Sequence, residues 1–292
     1  MSAASEEVRR EFGAVDDKRD AGLTTPEEVC RRDNIPYGPD PRWQALDVYR
    51  PRGAGDAPLP VIVSVHGGAW VYGDKERYQY YCMELARRGF AVVNFSYRLA
   101  PESKFPAPLE DTNTVFHWVL AHGKDYGLDT ERIFAVGDSA GAHILGLYCN
   151  FCTNPAYAAR FSFAPPAGFA PRAVVLNCGK YEMGPGSDAR TRALMADFLP
   201  RGGTAEELEE INVLRYVTPD FPPTFLMTCV EDQLRDQTPL LAARLMEQEV
   251  PFLFRFYGDR ENRLLHVFQL TIRLEDARRC NDEECDWLRR FL

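Results

Sequence analysis

Two glycine-rich stretches carry the residue types and spacings of acyl-transfer chemistry. The first, Gly137-Asp138-Ser139-Ala140-Gly141, has the pattern G-x-S-x-G. A tight turn there would hold Ser139 in a strained conformation with its hydroxyl exposed. Glycine at −2 and +2 removes side chains that would collide with the neighbouring strand and helix. The helix that follows points its N-terminus at the site and favours developing negative charge. The second stretch is His66-Gly67-Gly68-Ala69-Trp70. A tetrahedral intermediate places a full charge on one oxygen, and backbone N–H groups stabilise it only where the backbone comes close. Gly67 and Gly68, with Ala140 after the serine, are assigned as those donors. His66 reads as a loop anchor rather than a base. Trp70 has two readings, a wall of the substrate pocket or packing for its own loop.

Both stretches need strands and helices to hold them. Val61-Ile62-Val63-Ser64-Val65 is a β-branched run that ends at His66, and Ile133-Phe134-Ala135-Val136 leads into the serine turn. A helix is expected from Ser139 to about Cys152. This is the context G-x-S-x-G requires, and it weighs against an ordinary glycine-rich turn. Further strands are expected at Leu46–Tyr49, Ala91–Phe95, Ala173–Leu176, Thr224–Thr228 and Phe252–Phe256. Helices are expected at Asp74–Arg88, Leu109–His122, Thr238–Glu247 and Asp276–Phe291. Near-continuous apolar strands alternating with helices mean a parallel sheet covered on both faces. Residues 1–33 read as one or two charged helices, with Thr24–Glu28 as a cap and first turn. Residues 34–43 carry three prolines and read as an extended linker. Pro51–Asp56 reads as a turn. The stretch 180–220 interrupts the rhythm with Gly184-Pro185-Gly186, the amphipathic Arg190–Leu199 and the acidic Glu206–Ile211. An insertion there sits above the strand ends, where open α/β sheets bind ligands.

His66–Trp70, Tyr97-Arg98-Leu99-Ala100-Pro101-Glu102 and Gly137–Gly141, in this order and spacing, resemble the hormone-sensitive-lipase-like branch of the α/β-hydrolase esterases. Bacterial carboxylesterases, feruloyl or acetyl-xylan esterases and arylformamidases share much of the pattern. The resemblance runs from about Tyr37 to the C-terminus. It implies one α/β-hydrolase domain over residues 1–292, a mostly parallel sheet flanked by helices. Residues 1–33 match nothing in the family; 1–36 are expected to be an N-terminal helical cap segment and 180–220 an inserted cap. Ala69 stands where many relatives carry a third glycine, a departure that bears on the tolerated alcohol group. Arg98, Glu102 and Asp111 resemble framework positions and are expected to form structural polar pairs.

The fold's chain order is Ser, then Asp or Glu, then His. Of His66, His117, His122, His143 and His266, only His266 lies downstream of the last strand. It also resembles the H-x-F that ends this loop in the family, and it is the expected general base. Read instead as a core histidine, it would leave Ser139 without a base, and a serine hydroxyl is a weak nucleophile unless a base takes its proton. His143, four residues past Ser139, is expected to pack beneath it. Asp232 occupies the family's D-x-L position and is the expected acid, with Glu231 and Asp236 as alternatives. Tyr181 is a candidate pocket residue. The charged Asp259–Arg263 loop is either a solvated loop or a polar rim that admits polar esters.

The implied activity is that of a serine carboxylesterase acting on short-chain acyl or small aryl esters through an acyl-enzyme. An arylformamidase-type amidase or a feruloyl or acetyl-xylan esterase is the alternative. A non-catalytic ligand-binding hydrolase fold usually lacks the base. The expected partner is a small-molecule ester, and a homo-oligomer stays open. No Walker A loop or dinucleotide fingerprint appears, and no cofactor or metal is expected. The 292 residues carry net charge −9, which argues against nucleic acid or an anionic membrane as the main partner. No apolar run approaches the ~20 residues of a membrane helix. The N-terminus is charged where a signal peptide would be apolar, so the expected compartment is cytoplasmic. Eight cysteines fit that compartment, with Cys82, Cys149, Cys178 and Cys229 in apolar stretches. Cys149-x-x-Cys152 has a redox or zinc spacing but no second ligand pair nearby, and reads as core packing.

Overall fold

The β-branched runs pair into one eight-stranded sheet. The computed structural model describes residues 1–55, 57–184 and 188–292. The strands are β1 (Val29–Pro36), β2 (Ala45–Pro51), β3 (Leu59–Val65), β4 (Ala91–Phe95), β5 (Leu128–Asp138), β6 (Val174–Asn177), β7 (Thr224–Cys229) and β8 (Phe252–Tyr257). Their spatial order is β1-β2-β4-β3-β5-β6-β7-β8. The β1–β2 and β2–β4 pairs are antiparallel, and every other pair is parallel. This is the α/β-hydrolase arrangement that the motifs imply.

The helices are α1 (Ala3–Asp20), α2 (Lys75–Arg87), α3 (Ala107–His122), α4 (Ala140–Thr153), α5 (Pro155–Ala158), α6 (Ala189–Phe198), α7 (Ala205–Glu210), α8 (Val213–Tyr216), α9 (Gln237–Glu247) and α10 (Glu275–Arg289). Strand periodicity decides which cluster each residue joins. Val61, Val63 and Val65 of β3 pack with Val115 of α3 and Leu145 of α4. Ile62 points the other way and packs with Leu85 of α2 and Leu288 of α10. Both faces are dry, which is why these strands read as continuous apolar runs. Cys149 lies in this core, and all eight cysteines are free thiols. Among the described residues no helix is long and apolar enough to cross a membrane.

The N-terminal region corrects the sequence reading. One helix, α1, ends at Asp20, and residues 29–36 are an antiparallel strand rather than a helix and linker. Thr24–Glu28 caps no helix. Val29 is buried, and the Arg31 guanidinium lies 5.5 Å from the centre of the Tyr49 ring. The charges that suggested a helix belong to an edge strand, where polar residues guard against pairing with another chain. The 1–36 segment is therefore half cap and half sheet. At 180–220 the inserted cap is built from α6, α7 and α8. Pro185 and Gly186 of its expected glycine-proline turn lie outside the described residues, as does Asp56 of the 51–56 turn. Arg52–Ala54 forms a single 3₁₀ turn.

Behind the sheet ends sits a buried acid. Glu284 of α10 accepts hydrogen bonds from Asn177 Nδ2 at 2.7 Å and Tyr81 Oη at 2.8 Å. Burial pushes its carboxyl up to about 7, against the pull of those donors. The folded state thus keeps a proton that the unfolded chain releases near pH 4.5. Over that window the folded state binds more protons, so stability falls as pH rises. Glu284→Gln should flatten this fall between pH 5 and pH 7, by at most about 3 kcal/mol. Urea melts across that range check it, and a slope as steep as wild type refutes it.

Candidate active site

Ser139 stands between the end of β5 and the start of α4, with φ 52° and ψ −119°. Its N–H donates to Asn177 O of the neighbouring strand at 2.9 Å. Glycine is required on both sides. A Cβ on Gly137 would lie 2.7 Å from Gly141 O, and one on Gly141 would lie 2.1 Å from Val65 O. The helix therefore starts in contact with the end of β3.

His266 comes from the loop after β8. Its Nε2 lies 3.0 Å from Ser139 Oγ, and its Nδ1 lies 2.6 Å from Asp232 Oδ1. A carboxylate only accepts, so Nδ1 carries the proton and Nε2 is left to accept from Ser139. Asp232 follows β7 and is buried. Its carboxylate also accepts from Thr228 Oγ1 at 2.6 Å and from Leu234 N–H at 2.8 Å. Burial alone would push its carboxyl up. The His266 hydrogen bond and charge, with Thr228 and Leu234, hold it below the usual range. The alternatives turn elsewhere: Glu231 pairs with Arg263, and Asp236 is exposed at the start of α9. The Cys178 thiol stands beside Asp232 and His266, and burial keeps it protonated. The line Asp232–His266–Ser139 can lift a proton from the serine.

The oxyanion loop departs from expectation at one residue. Gly67 N–H donates to Tyr78 Oη at 2.8 Å, and Tyr78 in turn donates to Asp138 Oδ2 at 2.8 Å. Gly67 is thus already paired. Among the described residues, Gly68, Ala69 and Ala140 N–H have no acceptor. Ala69 supplies the third free N–H in place of Gly67. It does so from φ 51°, and Trp70 follows at φ 63°. Two consecutive left-handed non-glycine residues are strained and must be held by their surroundings. Trp70 Nε1 donates to His143 Nδ1 at 3.0 Å, and His143 Nε2 donates to Ile211 O at 2.8 Å. His143 thus packs beneath Ser139, as expected. His66 anchors the loop, with Nδ1 donating to Gly67 O at 2.8 Å and its ring stacked on Tyr97. Burial pulls both imidazoles down to about 4, so they stay neutral. Burial also pushes the Asp138 carboxyl up to about 6.

Two lobes of cavity meet at Ser139. The smaller, 230 Å³, is lined by His266, Val267, Leu270, Tyr72, Asp16 and Arg19. The larger, 620 Å³, is lined by Trp70, Ala69, Ala140, Lys180 and Leu194, and lacks His266. Phe12 and Gln233 line both. Trp70 does both things the sequence left open, since it stacks on Phe198 and walls the larger lobe. Tyr181 does not line either lobe. It is fully buried, its hydroxyl donates to Leu176 O at 3.3 Å, and its ring packs so closely on Gly179 that a Cβ there would lie 2.3 Å from it. Sequence reasoning missed Tyr78, Asp138 and the α1 residues. Tyr78 stands in an ordinary helical run with no spacing that marks it, and α1 reads as a charged helix with no motif.

The framework residues form structural pairs. Arg98 holds Asp111 at 2.7 Å, and Glu102 pairs with Arg9 of α1 at 2.6 Å. The Asp259–Arg263 loop lines neither lobe and is a solvated turn, in which Asp259 accepts from Glu261 and Asn262 N–H.

This chain is 34% identical over 181 residues to Esterase LipC of Mycobacterium tuberculosis, covering 62% of this chain and 44% of that protein. It is 27% identical over 214 residues to the putative alpha/beta hydrolase R526 of Acanthamoeba polyphaga mimivirus, covering 70% of this chain and 60% of that one. The chain spans less than half the length of the first curated relatives it matches. Among solved structures, Esterase B from Lactobacillus rhamnosis, inhibited with a tributyrin phosphonate, superimposes with TM-score 0.90 at 25% identity. That match covers 99% of this chain and 95% of the other. The family model BD-FAE matches residues 46–245, which hold the oxyanion loop, Ser139 and Asp232. With two thirds of its length inside that match and an α/β-hydrolase sheet throughout, the chain belongs to the BD-FAE family.

Proposed function

We propose that the protein is a serine carboxylesterase. The observation that carries this reading is the hydrogen-bonded line from Asp232 through His266 to Ser139, beside three backbone N–H groups that have no acceptor among the described residues. Ser139 attacks the ester carbonyl while His266 Nε2 takes its proton. Gly68, Ala69 and Ala140 N–H hold the oxyanion of the tetrahedral intermediate, each typically worth about 10²–10³ in rate. His266 then passes the proton to the leaving alcohol. Water enters, His266 takes a proton from it, and the acid departs. Each time His266 is charged, Asp232 stabilises the imidazolium.

The leaving oxygen must come within reach of His266 Nε2 to receive its proton. The 230 Å³ lobe, which His266 lines, therefore takes the alcohol, and the 620 Å³ lobe takes the acyl group. Ala69 faces the acyl side, so its departure from glycine bears on the acyl group rather than the alcohol. The acyl lobe is rimmed by Lys180, Asp188, Arg190 and Asp236 instead of a long apolar channel, which favours short acyl chains. The tributyrin phosphonate on Esterase B supports the same preference.

Hydrolysis of p-nitrophenyl acetate, butyrate, octanoate and palmitate tests the reading. Wild type should cleave the two shorter esters fastest. Ser139→Ala should fall to background, a loss on the order of 10⁶. Cleavage by Ser139→Ala at the wild-type rate would sink the assignment. A second variant tests the support of the oxyanion loop. Tyr78→Phe leaves Gly67 N–H and the Asp138 carboxyl short of a partner. It should cost about 1–3 kcal/mol of stability in urea melts and lower kcat more than it raises KM. Unchanged kcat with lowered stability would make Tyr78 a packing residue only.

A further inference from the structure

The two lobes at Ser139 differ in how their charges are matched. In the alcohol lobe Asp16 and Arg19 pair with one another at 2.8 Å. In the acyl lobe Arg190 faces Glu11 at 3.4 Å. Asp188 caps α6, accepting from Thr191 N–H at 2.9 Å and Thr191 Oγ1 at 2.8 Å. Asp236 occupies the N-cap of α9, where the helix dipole favours an anion. Lys180 is left over. It follows β6, is half-buried and lines the lobe together with Ser139 and Trp70. Among the described residues it makes no ion pair and no hydrogen bond.

A lysine ammonium on a pocket wall without a partner is available to an anionic group of a ligand. The chain has acids to spare, 43 Asp and Glu against 34 Lys and Arg, and still leaves this lysine unpaired. The lobe's apolar lining is Val8, Phe12, Trp70 and Leu194, and its charged lining is Glu11, Lys180, Asp188, Arg190 and Asp236. The lobe thus offers apolar surface for a short chain and one cation, Lys180, that no side chain of the lobe pairs with. We propose that this lobe takes an acyl group ending in a carboxylate, so that the preferred substrates are monoesters of short dicarboxylic acids held by Lys180. The inference rests on the esterase reading and on the acyl assignment of this lobe. The chemistry is unchanged: the acyl–oxygen bond breaks, water supplies the new oxygen, and the alcohol and a dicarboxylic acid leave.

A matched pair of esters tests it, monomethyl glutarate against methyl pentanoate, followed by pH-stat titration. The two differ only in the distal group. Wild type should favour monomethyl glutarate at least tenfold in kcat/KM, mainly through KM. Lys180→Met should cut that ratio at least tenfold, Lys180→Glu should cut it further, and Lys180→Arg should restore most of it. Faster cleavage of methyl pentanoate by wild type overturns the proposal. So do equal losses on both esters in Lys180→Met, as a purely structural lysine would give. A wild type that cleaves methyl pentanoate but not the monoester refutes the anionic preference and leaves the esterase reading intact. A wild type that cleaves neither these nor p-nitrophenyl butyrate overturns both.

Discussion

The contact between the start of α4 and the end of β3 governs the rest of the site. Gly141 lies so close to Val65 and His66 that any side chain there would overlap their carbonyl oxygens. That approach sets Ala140 N–H and the free N–H groups of Gly68 and Ala69 around one small volume. Beside it Ser139, Ala69 and Trp70 hold left-handed backbone, each at a cost of order 1–3 kcal/mol. Parallel pairing of β3 with β5, and of β5 with β6, surrounds the strain and holds it in place.

The strained loop is held by neutral imidazoles. His143 joins three parts of the fold, since it sits on the nucleophile's helix, accepts from Trp70 and donates to Ile211 of the inserted cap. A charged imidazole would donate from both nitrogens and could not accept from Trp70. Burial prevents that, pulling its pKa down to about 4. His266 differs because Asp232 faces it and the cavity opens beside it. His66 and His143 are fully buried and neither is hydrogen-bonded to a carboxylate, whereas His266 is hydrogen-bonded to one and borders the cavity.

The parts of this site that were legible in the sequence are those whose chemistry demands fixed residue types at fixed spacing. Ser139, His266 and Asp232 fall into this class, and so do Gly137 and Gly141. Most strands were legible because both sheet faces are dry and their sequences are apolar throughout. The failures have a common cause. Gly67 and Ala69 differ in which N–H another group has claimed, and that depends on Tyr78, which no motif marks. Tyr181 follows a strand end, as a pocket residue should, but its ring lies in the core against Gly179, whose missing side chain leaves room for it. β1 carries charges because it is an edge, and an edge strand lacks the apolar signal of its neighbours.

Helix α1 shows how a segment without a motif shapes a site built from motifs. It lies outside the residues that match the family. Val8, Phe12, Val15, Asp16 and Arg19 recur at helical spacing, so one face of α1 walls both lobes. The helix is tied down along its length. Asp197 of α6 accepts from Ser2 N–H and Ser5 Oγ, Arg9 reaches Val71 O and Glu102, and Arg19 donates to Arg77 O. Arg273 holds its C-terminal end through Arg19 O and Ala21 O. A wall fixed at both ends and in the middle is part of the pocket's shape rather than a loose cover. The groups proposed to react, Ser139, Asp232 and His266, follow the ends of strands β5, β7 and β8. The walls come from a helix whose side chains touch no reacting atom, so substrate choice can change there while the nucleophile, base and oxyanion donors stay as they are.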